Sequence, residues 1–144
     1  MRLEDCFRRR MLRRETPNHL MSNKALDMAY EKLARAVDLK ENGFFDEAVV
    51  ASYSAMFQAA RALLFNEGVM EKSHYCVVLY LRENHKKTLG MELIGWLDMY
   101  RTERHAWFYG IESMNVDEVE AGEAIERSNK FIDRISKLLL NKNV

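Results

Sequence analysis

Apolar positions recur at three- and four-residue intervals along most of this chain, and breakers are sparse, with six glycines and one proline in 144 residues. Such spacing lines apolar side chains along one stripe of an α-helix, whereas the two-residue alternation of a strand is scarce. The pattern predicts an all-α protein. A short basic segment from about Leu3 to Arg14 carries Leu3, Phe7 and Met11 on one stripe and ends near Pro17. A second helix is expected after Ser22, a suitable N-cap, with Leu26, Ala29, Leu33, Ala36 and Val37 on its apolar face and Gly43 as its stop. Asp46 or Glu47 opens the third, which runs to Asn66 and Gly68. Its seam of small residues, Ala48, Ser52, Ala55, Ala59 and Ala62, is flanked by Tyr53, Met56, Phe57, Leu63 and Leu64, and Arg61 is the only charge between Glu47 and Glu67. A helix apolar on most sides belongs at the centre of a bundle.

Ser73 can cap a shorter helix carrying Tyr75, Val78, Leu79 and Leu81, which ends before the polar stretch from Glu83 to Thr88. Met91, Ile94, Leu97 and Tyr100 define the next, with Gly110 limiting its extent. Asn115 with Glu118 has capping-box spacing for a last helix that buries Ala121, Ile125, Ser128, Ile132, Ile135 and Leu139. That helix carries acids early and bases late, as its dipole favours. The whole predicts an up-and-down four-helix bundle over residues 22–144, preceded by a basic helical extension over 1–21 and with a short extra helix between the third and fourth main segments.

Composition narrows the function classes. Twenty-two basic residues balance twenty-two acidic ones, which argues against a general nucleic-acid coat, yet residues 1–14 hold six arginines against two acids. That basic helix can be a solvated cap, an RNA-backbone contact or a partner-docking element, and a cap is the commonest use of such a segment. No run approaches about 18 uninterrupted apolar residues, and the N-terminus has no secretion-signal core, so no membrane role and a cytoplasmic location are expected. Cys6 and Cys76 stand seventy positions apart with no zinc-type spacing and read as plain thiols. The four histidines are scattered, and neither a metal nor a cofactor is expected.

The candidate chemistry lies between Tyr100 and Gly110, where two arginines, one histidine and several aromatics crowd together. On a helix Arg101 and His105 are about 40° apart, Arg104 lies about 60° to the other side of Arg101, and Tyr109 can join the same face. Guanidinium groups bind phosphate oxygens in a bidentate fork, imidazole titrates near neutrality, and a phenol donates a hydrogen bond. The same side chains serve equally as surface ion pairs, Asp98 with Arg101 at i,i+3 for example. Arg61, alone in an apolar helix, must reach a carboxylate, a carbonyl or the bundle end, and can add positive potential to a nearby groove. His74, directly after the Ser73 cap, reads as structural, and the aromatics Tyr53, Phe57, Trp96, Trp107 and Phe108 as core or dimer surface.

The segment from Ala48 to Gly68, followed by Glu71-Lys-Ser-His74 and by Arg101-x2-Arg104-x4-Tyr109-Gly110, resembles the HEPN family, the higher eukaryotes and prokaryotes nucleotide-binding domain. The likeness spans about Ser22 to Leu140. It implies a homodimer with the two polar motifs facing across the interface. It also implies action beside a minimal nucleotidyltransferase in a toxin–antitoxin or defence module, and RNA or nucleotide as ligand. Ribonuclease members of that family carry Arg, four to six residues, then His. Here Arg104 with four intervening residues ends in Tyr109, and Arg101 reaches His105 after only three. The departure favours an RNA- or nucleotide-binding and partner-binding module, with Arg101, Arg104, Tyr109 and Arg61 as binding residues. The alternative is a metal-independent endoribonuclease in which Arg104 or Arg101 acts with His105, and Tyr109 assists. A phenol exchanges protons poorly at neutral pH. The wild-type protein should therefore cleave RNA weakly without a partner, and Tyr109→His should raise cleavage in a gel assay. Strong metal-independent cutting by wild type, abolished in a folded His105→Ala variant, would reverse this reading.

Overall fold

The computed structural model describes the backbone of residues 1–109 and 115–142 and the side chains of residues 1–106 and 115–141. Among these residues, six helices and two short strands follow in the order α1 (Leu3–Arg8), β1 (Leu12–Arg14), α2 (His19–Glu41), α3 (Phe45–Asn66), β2 (Val69–Glu71), α4 (His74–Asn84), α5 (Met91–Tyr109) and α6 (Glu118–Lys142). The expected all-α bundle is present, built on the four long helices α2, α3, α5 and α6, with α4 as the short helix between α3 and α5.

Helix α3 is the centre, packing against α2, α4, α5, α6 and β2. Its small-residue seam is fully buried from Ala48 through Ala62, which lets neighbouring backbones approach closely. Two hydroxyls use that closeness. Ser22 Oγ of α2 donates to the Ala62 carbonyl at 2.7 Å, and Ser128 Oγ of α6 donates to the Ser52 carbonyl at 2.9 Å. Each such bond contributes about 1 kcal/mol net, and replacing the serine would leave a buried carbonyl with one partner fewer. By length and composition α3 could cross a membrane, but 78% of its apolar window is buried inside the protein, as a central bundle helix requires.

Four local expectations are corrected. Helix α2 begins earlier than Ser22, because Asn18 is the N-cap, its Oδ1 accepting from Met21 N at 3.0 Å. Ser22 is thereby freed to bond α3. At the start of α6 the capping side chain is Asp117, which accepts from Glu120 N at 2.8 Å, in place of Asn115.

The basic extension is not one helix. Helix α1 stops after Arg8, Arg10 takes a left-handed φ of 59°, and Leu12–Arg14 pairs antiparallel with Val69–Glu71 in the register Leu12↔Glu71, Arg13↔Met70 and Arg14↔Val69. The strand pairing buries Leu12 completely, worth about 2 kcal/mol relative to exposure. Gly68 makes the turn possible. Its φ is +75°, and a Cβ there would collide with the Glu15 carbonyl oxygen.

The fourth correction concerns the cysteines. Cys6 of α1 and Cys76 of α4 form a disulfide with Cα atoms 5.9 Å apart, so neither is a free thiol. The bond ties the extension to the bundle across 70 residues. Cys6→Ser with Cys76→Ser should lower unfolding stability by about 2–4 kcal/mol, measured by urea titration of the oxidised parent and the variant. Equal midpoints and slopes would show that the bond carries no stability.

Candidate functional site

The side chains of Tyr53, Phe57 and Arg61 follow one line of α3 at successive i,i+4 positions, so all three point to the same flank of the helix. The start of α4 and the middle of α5 meet them there. Ser73 caps α4 by accepting from Cys76 N at 3.2 Å, which sets His74 at the first helical position. Its imidazole lies flat on Phe57, with ring centroids 3.8 Å apart and planes within 1°. Tyr53 Oη is 2.6 Å from His74 Nδ1.

From α5, the Arg104 guanidinium sits 5.8 Å from the Tyr53 ring centre, and that of Arg101 sits 5.2 Å from Tyr75. Arg101 Nε donates to Asp98 Oδ1 at 2.9 Å, the expected i,i+3 pair, while Arg82 of α4 donates to Asp98 Oδ2 at 3.1 Å. One carboxylate thus holds two guanidiniums from two helices. Arg61 satisfies its charge on Glu71 of β2, with Nε 2.6 Å from Oε1, and lies over the Phe65 ring. The contact is an ion pair off the N–H direction, since Nε makes no hydrogen bond.

These neighbours decide the protonation states. Burial, then the charges of Arg104, Arg101 and Arg61, lower the His74 pKa from its ordinary 6.5 to about 4. Burial likewise raises the Tyr53 hydroxyl far above the usual phenol range, against the opposing pull of Arg104 and Arg101. Both groups are neutral at pH 7. Tyr53 is 2% exposed, and His74 is the partner of its hydroxyl. If His74 Nδ1 carried the proton, the phenol's own hydrogen would have no acceptor among the described residues, at a cost of about 1–3 kcal/mol. The favoured arrangement has the Tyr53 O–H donating to Nδ1, which leaves the imidazole proton on Nε2.

The residues expected from the sequence divide accordingly. Arg101 and Arg104 are half-buried and converge with Arg61 on His74. His105 is exposed on α5. Tyr109 is the last residue of α5, and its side chain lies outside the described residues, as do Trp107 and Phe108. His74, read from the sequence as structural, stacks on Phe57 and bonds the Tyr53 hydroxyl, and it also feels the charges of Arg104, Arg101 and Arg61. The Tyr53, Phe57, Arg61 spacing was the available signal. His74 stands out only as part of the Glu71-Lys-Ser-His74 block, and no spacing joins it to those three residues.

The family model for the HEPN domain matches residues 22–138. This chain belongs to the HEPN domain family. Two curated relatives from Methanocaldococcus jannaschii align along most of its length. Putative toxin MJ0142 is 25% identical over 123 residues, covering 84% of this chain and 83% of the relative. Putative toxin MJ0605 is 27% identical over 125 residues, covering 79% and 85%. The HEPN match takes in α3, α4 and α5, the three helices that build the cluster.

Because the folded protein holds His74 below its ordinary pKa, the unfolded chain binds more protons between about pH 6.5 and 4. The stability contributed by neutral His74 is full above that window and declines as pH falls through it. Wild type should lose thermal stability over that range, and His74→Gln should lose less. An imidazole seen by NMR to titrate near 6.5 in the folded protein would refute the assignment.

Proposed function

We propose that this HEPN protein is a toxin-like module that binds RNA or nucleotide through phosphate groups held by Arg101 and Arg104, acts as a homodimer, and works beside a minimal nucleotidyltransferase partner. The observation that carries the reading is the placement of two α5 guanidiniums around His74: Arg104 lies over Tyr53, whose hydroxyl is 2.6 Å from the imidazole, and Arg101 lies over the adjoining Tyr75. Three guanidiniums focused on one flank create a positive potential suited to a phosphodiester in a chain whose net charge is zero. Asp98 pre-positions Arg101, so less side-chain freedom is surrendered when an anion binds. The names of the two relatives support the toxin-like class. Tyr109 in this reading supplies a hydrogen bond and no proton transfer.

The competing reading is an endoribonuclease in which Arg101 or Arg104 acts with His105. What favours it is the exposure of His105 one helical turn from Arg101, within reach of a strand lying along α5.

Arg101→Ala combined with Arg104→Ala should weaken binding of single-stranded RNA and flatten its salt dependence by about 0.7 in the log–log slope for each phosphate that is no longer neutralised. The fold should persist, because the core of the bundle does not include either side chain. Unchanged affinity and slope in a folded double variant would place the binding surface elsewhere.

A further inference from the structure

We propose that His74 is an uncharged hydrogen-bond donor to an RNA phosphate held by Arg101 and Arg104, its proton kept on Nε2 by the Tyr53 hydroxyl. This rests on the phosphate-binding reading above and assigns to it a third group, from α4, that the α5 motif does not contain. The geometry is specific. Nδ1 is occupied by Tyr53, one ring face is covered by Phe57, and Nε2 makes no hydrogen bond to any described residue. The edge left to a ligand is therefore the one bearing the proton.

The surroundings explain why the donor is neutral. Around the Tyr53–His74 pair are Phe57 and Arg61 from α3 and Arg101 and Arg104 from α5, with Asp98 acting on the Tyr53 hydroxyl and Tyr75, next to His74 on α4, lying under Arg101. Asp98 is drawn off by Arg101 and Arg82, and Glu71 by Arg61, so neither carboxylate bonds the imidazole. A further cation among these guanidiniums would be repelled, whereas a neutral N–H adds a directional bond at no charge cost. Phosphate oxygens accept such bonds well, and a donor that retains no counterion leaves a distinctive signature: it changes affinity without changing salt dependence.

The test uses the full chain and a fluorescein-labelled single-stranded oligouridylate, with anisotropy measured at pH 7 over a salt series. Asparagine places its amide nitrogen near Nδ1 of the replaced ring, and glutamine places its own near Nε2. His74→Asn should lose about tenfold in affinity and His74→Gln should retain most of it, both with the wild-type slope. Wild-type affinity in His74→Asn would overturn the proposal, and so would a slope reduced by about 0.7, which marks removal of a cation. Arg101→Ala with Arg104→Ala separates the two levels. If that variant binds as wild type does, the phosphate site itself is wrong. If it weakens while His74→Asn does not, only the role of His74 fails. Should His74→Asn not fold, long-range imidazole nitrogen–proton NMR on the wild-type protein decides: a proton on Nε2 that moves or broadens on RNA addition is the expected result, and a proton on Nδ1 or an unperturbed signal overturns it.

Discussion

The enclosure of α3 on nearly every side is the constraint from which the remaining architecture follows. A helix whose only charge between Glu47 and Glu67 is Arg61 cannot be left facing water, and its alanine and serine seam is too small to fill space by itself. Neighbouring helices must therefore come close, and they do so on a seam that also supplies backbone carbonyls for the Ser22 and Ser128 hydroxyls. Hydrophobic burial draws α2 and α6 onto α3, and the two buried hydrogen bonds help set their register along it.

The candidate site lies where this enclosure ends. Along the flank of α3 that carries Tyr53, Phe57 and Arg61, burial falls from the core toward the surface, so the groups there are partly desolvated but reachable. Partial desolvation is what gives them definite protonation states. A phenol in the core keeps its proton, the proton needs an acceptor, and the imidazole above Phe57 provides one. Burial and three nearby guanidiniums hold that imidazole neutral. The cluster is electrostatically positive without containing a histidinium, and its two carboxylates serve to anchor arginines.

The N-terminal segment is joined to two of the elements that build this region. Strand β1 pairs with β2, which holds the Glu71 partner of Arg61, and the disulfide fastens α1 to α4 two positions beyond His74. Gly68 lets α3 turn into β2 against the returning chain. The extension is thus fastened, by a strand pairing and a disulfide, to the elements that carry Glu71 and His74.

Local pattern was enough for the four long helices, the central place of α3, the burial of its small-residue seam and the Ser73 cap, because each depends on residues within a turn or two of one another, but it misplaced the caps of α2 and α6 and read strand β1 as part of a helix. The three-block pattern in its family order was enough for the HEPN fold. Arg101 and Arg104 were visible as a pair for the same local reason, as was the Asp98 contact. Other features required folding. The Cys6–Cys76 bond, the β1–β2 pairing and the Arg61–Glu71 ion pair join positions that no local spacing relates, and each is settled by how α1, α3 and α4 come together. His74 is the clearest case. Beside a helix cap it has every mark of a structural residue, and only the packing of α3, α4 and α5 brings it to Tyr53, Phe57 and the arginines. An imidazole's charge and tautomer are properties of its surroundings, and those surroundings exist only in three dimensions.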